Sequence, residues 1–378
     1  MDLDFSSEQT MLRDSAAKFF ANECNYEEVK HIEETDQGYS PKLWQKIAEL
    51  GWTGLLFPEN YGGYGGSFLD LVIIFEEIGK ACFPSPFFST IVQCGLLILE
   101  GGTEEQKNDL LSRIADGSLI MSLAQYEAET DYTYESITMK AEQKGDAYVL
   151  NGTKMFAMDA NIADKLIVAA HAGAAGLSLF LVDADHPGVS ITKLPYVSAE
   201  NACEVIFKDV EVGSNDMIGA PGDGASLLDK MYDKAAVAKA AEMSGGCERA
   251  IGLTAKYARE RVQYGNPIGG YQAIQHFMSN MLIAADTCSN YLYKVACMID
   301  EGDDFSRDAS GLKAVANEAY RFVTERAVKI HGGIGTTREA DIALFYRRAH
   351  PFSMMCGSTA YHYEKVAQSL LKDGLGAF

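Results

Sequence analysis

The sequence predicts a mainly helical α+β protein made of three consecutive domains. Apolar residues recur at helical spacing over residues 1–118, short β-type runs fill residues 119–222, and long helical patterns return over residues 223–378. A chain of 378 residues with 47% hydrophobic content can bury more than one core. We therefore expect an N-terminal helical domain, a central β-barrel or sandwich domain, and a C-terminal antiparallel helical bundle.

The N-terminal domain shows three amphipathic patterns. MLRDSAAKFFANE and LWQKIAELG place apolar residues at helical spacing, and FLDLVIIFEEIGKA does so after a glycine-rich loop. These patterns predict helices that pack against one another.

The central domain contains runs typical of strands: KLIVAA, LSLFLVDA, VSITKLPY and CEVIFKDVEV. Asn151-Gly152 lies between AYVL and TKMF, and this dipeptide favours a tight β-hairpin turn. The sequence therefore predicts a hairpin centred on these two residues, and the loop IGAPGDG at 218–224 ends the domain.

The C-terminal domain shows five helical patterns separated by Gly, Asp and Pro breaks. They cover roughly residues 225–263, 273–301, 306–330, 340–350 and 358–372. Short breaks between long helices predict antiparallel neighbours in a bundle.

Charge and cysteine usage exclude several function classes. Lys and Arg total 32 against 53 Asp and Glu, and the net charge of -21 repels nucleic acid and anionic lipid. The eight cysteines show no CxxC pair or zinc-ligand spacing, so we expect reduced thiols and no metal site. No signal peptide or apolar run of ~20 residues is present, which predicts a soluble cytoplasmic protein without membrane insertion.

Four segments together resemble the acyl-CoA dehydrogenase family of FAD flavoproteins. They are GLLFPENYGGYGGSFLDLVIIFEEIGK (54–80), NGTKMF (151–156), RVQYGNPIGGYQAIQ (261–275) and KIHGGIGTTREADIALFYRRAHPFSMMCGS (329–358). The resemblance implies FAD as cofactor, an acyl-CoA substrate, and an electron-transfer flavoprotein or similar acceptor. It also implies a homo-oligomer, or a heterotetramer with a homologous subunit.

In this family one subunit grips the ADP half of its neighbour's FAD. The resemblance assigns that contact to two segments, through Arg261, Tyr264, Gln272, Lys329, Gly332 and Gly333. A guanidinium suits a pyrophosphate because its planar fork offers several donors. Other interpretations remain open. Arg261 can be a solvated charge at a helix end, Tyr264 a core aromatic, and the glycine pair a plain helix stop.

The flavin-ring side departs from the family pattern. The resemblance places Phe156, Met158 and Ser358 at the ring, but Met158 replaces a residue that carries a hydroxyl. A thioether cannot donate the hydrogen bond of that hydroxyl. Tyr126 and Glu127 stand where the family shows a Thr-Glu-Pro-Gly turn.

The catalytic carboxylate of the family is missing. A gap-free count places Cys356 at the usual Glu position, with the Cys356 backbone and Gly357 as candidate contacts to the thioester, and a second base position used by some members holds Ala235. A thiol with the ordinary pKa of about 8.5 is a poor base at neutral pH. It would need a lowered pKa, for which His350 or a helix N-terminus is the expected cause.

Two acidic residues near these positions are weak substitutes for the base. Asp233 is expected to face away from the Ala235 side of its helix, and Glu364 lies two helical turns beyond Cys356. Three interpretations stay open: an enzyme with an unusual base, a base-less subunit that completes the FAD site of a catalytic homologue, and a non-enzymatic protein that retains the fold.

Overall fold

The computed structural model describes residues 5–129 and 131–373 and confirms the mainly helical α+β class. Within the described residues the chain forms two compact units. The bundle unit is drawn from Met1–Val29, Ser67–Phe83 and Ala236–Phe378, and the sheet unit from Lys30–Gly66 and Pro84–Ala235. The boundaries of the three predicted domains stay a prediction.

In the part of the chain that the structure describes, seven α-helices precede the sheet. They are α1 (Ser7–Glu23), α2 (Tyr26–Glu33), α3 (Pro41–Glu49), α4 (Phe68–Ala81), α5 (Leu96–Gly101), α6 (Glu104–Gln106) and α7 (Ser112–Ala115), with π-helical segments at Phe88–Gly95 and Lys107–Leu111. Capping boxes fix three of the starts, because Ser6 exchanges hydrogen bonds with Gln9, Ser67 with Asp70 and Thr103 with Gln106. The helical prediction for this region is confirmed.

The described residues of the sheet unit form eight strands. They are β1 (Met121–Ala124), β2 (Lys140–Lys144), β3 (Ala147–Met158), β4 (Lys165–His171), β5 (Leu177–Asp183), β6 (Val189–Lys193), β7 (Ala202–Gly213) and β8 (Met217–Ile218). Their order is β6-β7-β3-β2-β4-β5-β8, and β1 pairs in parallel with β4. One face buries an apolar core that includes Leu150, Leu166, Phe180 and Phe207.

The predicted hairpin at Asn151-Gly152 is wrong. β3 runs through both residues, and the turn lies earlier, at Gly145 and Asp146 between β2 and β3. Both halves of β3 pair with β7, with a register shift at the Asn-Gly dipeptide. The register shift sets two residues of β7, Lys208 and Asp209, opposite Asn151, so the extra residue of the bulge lies in β7. Asn151 Oδ1 accepts a hydrogen bond from the N–H of Asp209 at 2.8 Å, and the dipeptide forms no turn.

The C-terminal region forms the helices that its sequence predicts. They are α8 (Gly224–Glu260), α9 (Gln272–Glu301), α10 (Ser306–His331), α11 (Ile342–Met354) and α12 (Thr359–Asp373), and a short hairpin of β9 (Val262–Gln263) and β10 (Asn266–Pro267) follows α8. α10 packs against α9, α11 and α12.

α4 and α8 pack backbone against backbone in the bundle unit. A Cβ on Gly79 would lie 1.9 Å from the carbonyl oxygen of Glu242, and a Cβ on Gly245 would lie 1.9 Å from that of Glu76. Glycine is therefore required at both positions. Among the described residues no helix has the length and apolarity to cross a membrane.

Candidate active site

The candidate site residues divide between the two units. The bundle unit carries Arg261, Tyr264, Gln272, Lys329, Gly332, Gly333, Cys356, Gly357 and Ser358. The sheet unit carries Phe156 and Met158, together with Tyr126 and Ala235.

Within the bundle unit the two segments assigned to the ADP half lie side by side. Tyr257, near the end of α8, stacks on His331 at the end of α10, with ring centroids 4.3 Å apart. The Tyr257 hydroxyl also donates to the carbonyl of His331 at 3.2 Å. The exposed Arg261 follows Tyr257 by one helical turn, and Gly332 follows His331 directly, so the fold places these two candidates near each other.

The hairpin that starts at Arg261 extends into solvent. Tyr264 is 93% exposed and adopts a left-handed φ of 52°, so the alternative of a core aromatic is wrong. Gln272 is also exposed, at the first turn of α9. An exposed tyrosine on a strained hairpin suits a contact with another molecule.

Gly332 does stop α10. It adopts φ 72°, and its N–H bonds back to the carbonyls of Lys329 and Val328. A Cβ on Gly332 or Gly333 would meet nothing within 4 Å, so the backbone there is open to an approaching ligand. Lys329 is exposed, with its ammonium 5.4 Å from the ring centroid of Phe277.

Cys356 lies in a tight turn between α11 and α12. It adopts φ 57°, and its carbonyl is 2.9 Å from Nε2 of His362. Gly357 follows at φ 111°, where a Cβ would lie 2.6 Å from that same nitrogen. The hydroxyl of Ser358 accepts a hydrogen bond from the N–H of Tyr361, so it caps α12.

Two buried lysines surround this turn. Lys313 donates to Asn317 Oδ1 at 2.6 Å and to the carbonyl of Phe352 at 3.0 Å. Lys239 pairs with Glu242 at 2.6 Å, and its ammonium lies 4.3 Å from the ring centroid of Phe352. Both ammonium groups thus have oxygen or aromatic partners that compensate for the loss of water.

These surroundings make Cys356 a poor base. Burial raises the pKa of Cys356 to about 11, although Lys313 and Lys239 oppose the rise. The thiolate fraction at pH 7 is then on the order of 1 in 10,000. The suggestion that His350 lowers this pKa is wrong, because the opposing charges are the two lysines and burial outweighs them.

Burial raises the pKa of the thiol but lowers the pKa of two basic side chains near it. The pKa of Lys313 falls to about 7 and the pKa of His362 to about 3. Both shifts disfavour further positive charge in the turn. Neither residue was identified from the sequence, because a single Lys or His inside a helical pattern gives no signal of burial.

The sheet unit presents a half-exposed aromatic surface. The N–H of Met155 donates to the carbonyl of Tyr126 at 2.8 Å, which places Tyr126 beside Phe156. Phe156 is 48% exposed, adopts φ 55°, and has its ring centroid 6.4 Å from that of Tyr196. Tyr132 meets Tyr126 edge to face at 6.3 Å. Such a surface is suited to a planar ring system.

A buried ion pair fixes the segment that carries Tyr126. Lys154 is fully buried and donates to Glu127 at 2.7 Å and to the carbonyl of Gln125 at 3.1 Å. Although burial alone would raise the pKa of Glu127, hydrogen bonds from Lys154, Thr138 and the Met139 N–H lower it to about 2. Glu127 is therefore a structural carboxylate and a very weak base.

Tyr232 is a further residue that the sequence did not reveal. Its hydroxyl lies 2.7 Å from Gln125 Oε1 and 2.8 Å from the hydroxyl of Tyr126. It precedes Ala235 by three residues on α8, so both share one face of that helix. Its spacing to Ala235 was the one signal that the sequence offered for Tyr232. The hydroxyl that it contacts belongs to Tyr126, which lies in a distant segment of the sequence.

Comparison with known proteins supports one family throughout. Models of the acyl-CoA dehydrogenase N-terminal, middle and C-terminal domains match residues 6–118, 122–210 and 222–371. The chain belongs to the acyl-CoA dehydrogenase family. It is 30% identical to acryloyl-CoA reductase (NADH) of Anaerotignum propionicum, over 98% of this chain and 96% of that protein.

Two further proteins are similar to this chain along nearly its whole length. The caffeyl-CoA reductase-Etf complex subunit CarC of Acetobacterium woodii is 28% identical over 97% of this chain and 99% of that protein. The structure of butyryl-CoA dehydrogenase from Megasphaera elsdenii matches with a TM-score of 0.91 and 27% identity, over 98% of this chain and 100% of the other.

The acyl-CoA dehydrogenase family uses FAD, and this chain is an oxidoreductase of that type. Its residues fit the cofactor in two respects. The half-exposed rings around Phe156 and Tyr126 suit a planar isoalloxazine, and the exposed Arg261 and Lys329 suit phosphates. These are contacts that each unit offers by itself.

Proposed function

We propose that this protein interconverts an acyl-CoA thioester and its α,β-unsaturated counterpart with FAD, and that Cys356 does not act as the general base. The buried thiol with a raised pKa, at the position of the family's carboxylate, is the observation that carries the proposal. When bound, FAD supplies the two-electron redox chemistry at the thioester Cβ. Phe156 and Met158 are proposed to hold its ring, with Ser358 near that ring, and Arg261 and Lys329 are proposed to contact the ADP half of a neighbouring subunit's FAD.

The remaining site residues have proposed roles in binding. The Cys356 backbone and Gly357 are proposed to contact the thioester, since that role does not depend on the side chain at position 356. Tyr264, Gln272, Gly332 and Gly333 are proposed to contact the ADP half of a neighbouring subunit's cofactor. The exposure of Tyr264 supports this assignment.

An experiment on position 356 tests the proposal. A positioned general base contributes on the order of 10²–10⁴ in rate. We expect the wild-type protein to bind FAD and butyryl-CoA but to bleach its flavin slowly under anaerobic conditions. Cys356→Glu should speed flavin bleaching about 100-fold. Cys356→Gln is the control, because it has the same size as the Glu variant but carries no charge.

The outcomes separate clearly. Equal bleaching rates for the Glu and Gln variants, with both still binding FAD and butyryl-CoA, would show that position 356 does not face the thioester Cα. Rapid bleaching by the wild-type protein would show that it already has an efficient base. Failure of the wild-type protein to bind FAD or any acyl-CoA would refute the proposed activity.

A second candidate function is a base-less subunit that completes the FAD site of a homologous catalytic subunit. The exposed hairpin with Arg261 and Tyr264 favours it, because its side chains are available to another chain. Co-expression with a homologue tests it. FAD retained only by the co-expressed complex, and lost on Arg261→Ala, would support the heteromer, whereas FAD retained by this chain alone would contradict it.

The electron partner is proposed to be an electron-transfer flavoprotein or similar acceptor. The name of one relative, a subunit of a caffeyl-CoA reductase-Etf complex, supports this class of partner.

A further inference from the structure

Three buried side chains bind the backbone carbonyls of the turn between α11 and α12. Nε2 of His362 lies 2.9 Å from the carbonyl oxygen of Cys356. Lys313 Nζ and Asn317 Nδ2 lie 3.5 and 3.4 Å from the carbonyl oxygen of Gly357. The three side chains are at most 2% exposed, so these contacts are shielded from water. All of these residues belong to the bundle unit.

The single proton of the His362 ring lies on Nε2. A carbonyl oxygen only accepts hydrogen bonds, so Nε2 is the donor to Cys356. Burial, and then the charge of the nearby Lys313, lower the pKa of His362 to about 3, so the ring is neutral at pH 7. Nδ1 then carries no proton, in agreement with its lack of a hydrogen-bond partner among the described residues.

The same contacts fix the direction of two backbone N–H groups. The described residues contain no cis peptide bond, and across a trans peptide the C=O and the following N–H point in opposite directions. The N–H of Gly357 therefore points away from His362. The N–H of Ser358 likewise points away from Lys313. Neither N–H donates to any residue that the structure describes, so the turn presents two donors on its other side.

We propose that His362 and Lys313 are positioning residues, which aim the N–H groups of Gly357 and Ser358 at the carbonyl oxygen of the acyl-CoA thioester. The inference rests on the proposed function and specifies which backbone atoms of the turn make the thioester contact. Fixed N–H donors stabilise the negative charge that this oxygen gains while the Cα proton is removed or added. The role is therefore the same in oxidation and in reduction.

Isotope-edited infrared spectroscopy tests the contact in the wild-type protein. Crotonyl-CoA with ¹³C at its carbonyl is added to the FAD-loaded, oxidised protein, which cannot reduce it. We expect the carbonyl band at lower wavenumber than in buffer, because two fixed donors polarise the C=O bond more than water does.

Substitutions at His362 test its positioning role. His362→Leu removes the donor to Cys356 and should return the carbonyl band toward its position in buffer. His362→Gln keeps an N–H donor at similar reach and should retain the shifted band. His350→Leu is the matched control, because it makes the same change at an exposed histidine of α11 and should leave the band in place.

A pair of ligands separates positioning from general loss of structure. S-butyl-CoA is a thioether and lacks the carbonyl that crotonyl-CoA carries. His362→Leu and Lys313→Met should each weaken crotonyl-CoA binding about 10-fold, as measured by calorimetry, and S-butyl-CoA binding less than about 2-fold. Equal weakening of both ligands would mean that the two side chains only support the fold, and would overturn the inference.

A second substitution covers the case in which His362→Leu does not fold. His362→Asn stays polar, but its shorter side chain places the amide N–H near the position of Nδ1 and leaves the Cys356 carbonyl without its donor. It should lose the band shift that His362→Gln retains.

The results distinguish this inference from the function on which it rests. If the wild-type protein binds both CoA ligands but the carbonyl band stays where it lies in buffer, the inference fails and the proposed function stands. The same holds if the variants with and without a donor at position 362 show the same band. If the wild-type protein binds neither crotonyl-CoA nor S-butyl-CoA, the proposed function fails as well.

Discussion

The clusters around Cys356 in the bundle unit and around Tyr126 in the sheet unit differ in accessibility. Lys239, Lys313 and Cys356 are buried, and the ammonium groups are held by Glu242, Asn317 and backbone carbonyls. Tyr126 and Tyr232, in contrast, are partly accessible. The phenols can therefore meet a ligand or water, whereas the thiol is shielded from both.

The two units share one feature, a buried lysine that binds backbone carbonyls. In each unit a buried lysine holds a turn: Lys313 binds the carbonyls of Phe352 and Gly357, and Lys154 binds the carbonyl of Gln125. A buried cation with several oxygen partners is difficult to replace. The lysines therefore fix the backbone of both segments.

The largest effect in the comparison is expected from Glu127→Gln. The substitution leaves the fully buried Lys154 without its carboxylate and should lower the free energy of unfolding by about 3 kcal/mol. Urea denaturation at neutral pH measures it, with the exposed Glu142→Gln on β2 as control. A loss no greater than in the control would mean that the Tyr126 segment does not depend on the ion pair.

The pH dependence of this effect has a definite sign. The folded pKa of Glu127 is lowered to about 2 from an ordinary value of 4.5. Its stabilisation is therefore fully present above about pH 4.5 and is lost as the pH falls toward 2. The difference between wild type and Glu127→Gln should shrink over that range.

A smaller effect is expected from Glu76→Gln in the bundle unit. Burial raises the pKa of Glu76 to about 7, despite hydrogen bonds from Tyr293 and Ser244. Since the pKa is raised, the protonated form stabilises the fold at low pH, and this contribution is lost as the pH rises from 4.5 through 7. The Gln variant should lack this loss and exceed the wild type by about 2 kcal/mol above pH 7.

Thermal unfolding at several pH values measures the Glu76 effect. Glu77→Gln, at the adjacent position on α4, is a comparison that removes a carboxylate already paired with Lys80 at 2.9 Å. It should lower stability where Glu76→Gln raises it. Parallel pH profiles for wild type and Glu76→Gln would contradict the raised pKa.

The smallest effect is expected from Cys356→Ser. Because the thiol is protonated and is not the proposed base, the rate at which butyryl-CoA bleaches the flavin should change less than about 2-fold. The raised pKa also predicts slow reaction of Cys356 with a thiol reagent at neutral pH. A large loss of bleaching rate in the Ser variant would show that the Cys356 side chain takes part in the reaction.

Much of the fold was predictable because its helices and strands carry strong local periodicity. The predicted hairpin at Asn151-Gly152 is wrong because the pairing of β3 with β7 on both sides of this dipeptide outweighs its preference for a turn. The Cys at position 356, where the resemblance predicts a Glu, was also visible from the motif order. The direction of its pKa shift was not, since the shift depends on burial and on Lys239 and Lys313, which come from other helices.

The sequence by itself determined the family, the order of helical and β segments, and the absence of a carboxylate at position 356. These properties depend on residue identity and local spacing alone. Only the tertiary structure decided that Cys356 is buried beside two lysines and that Tyr232 meets Tyr126. The physical reason is that desolvation and side-chain hydrogen bonding depend on residues that are far apart in the chain and are brought together only by packing.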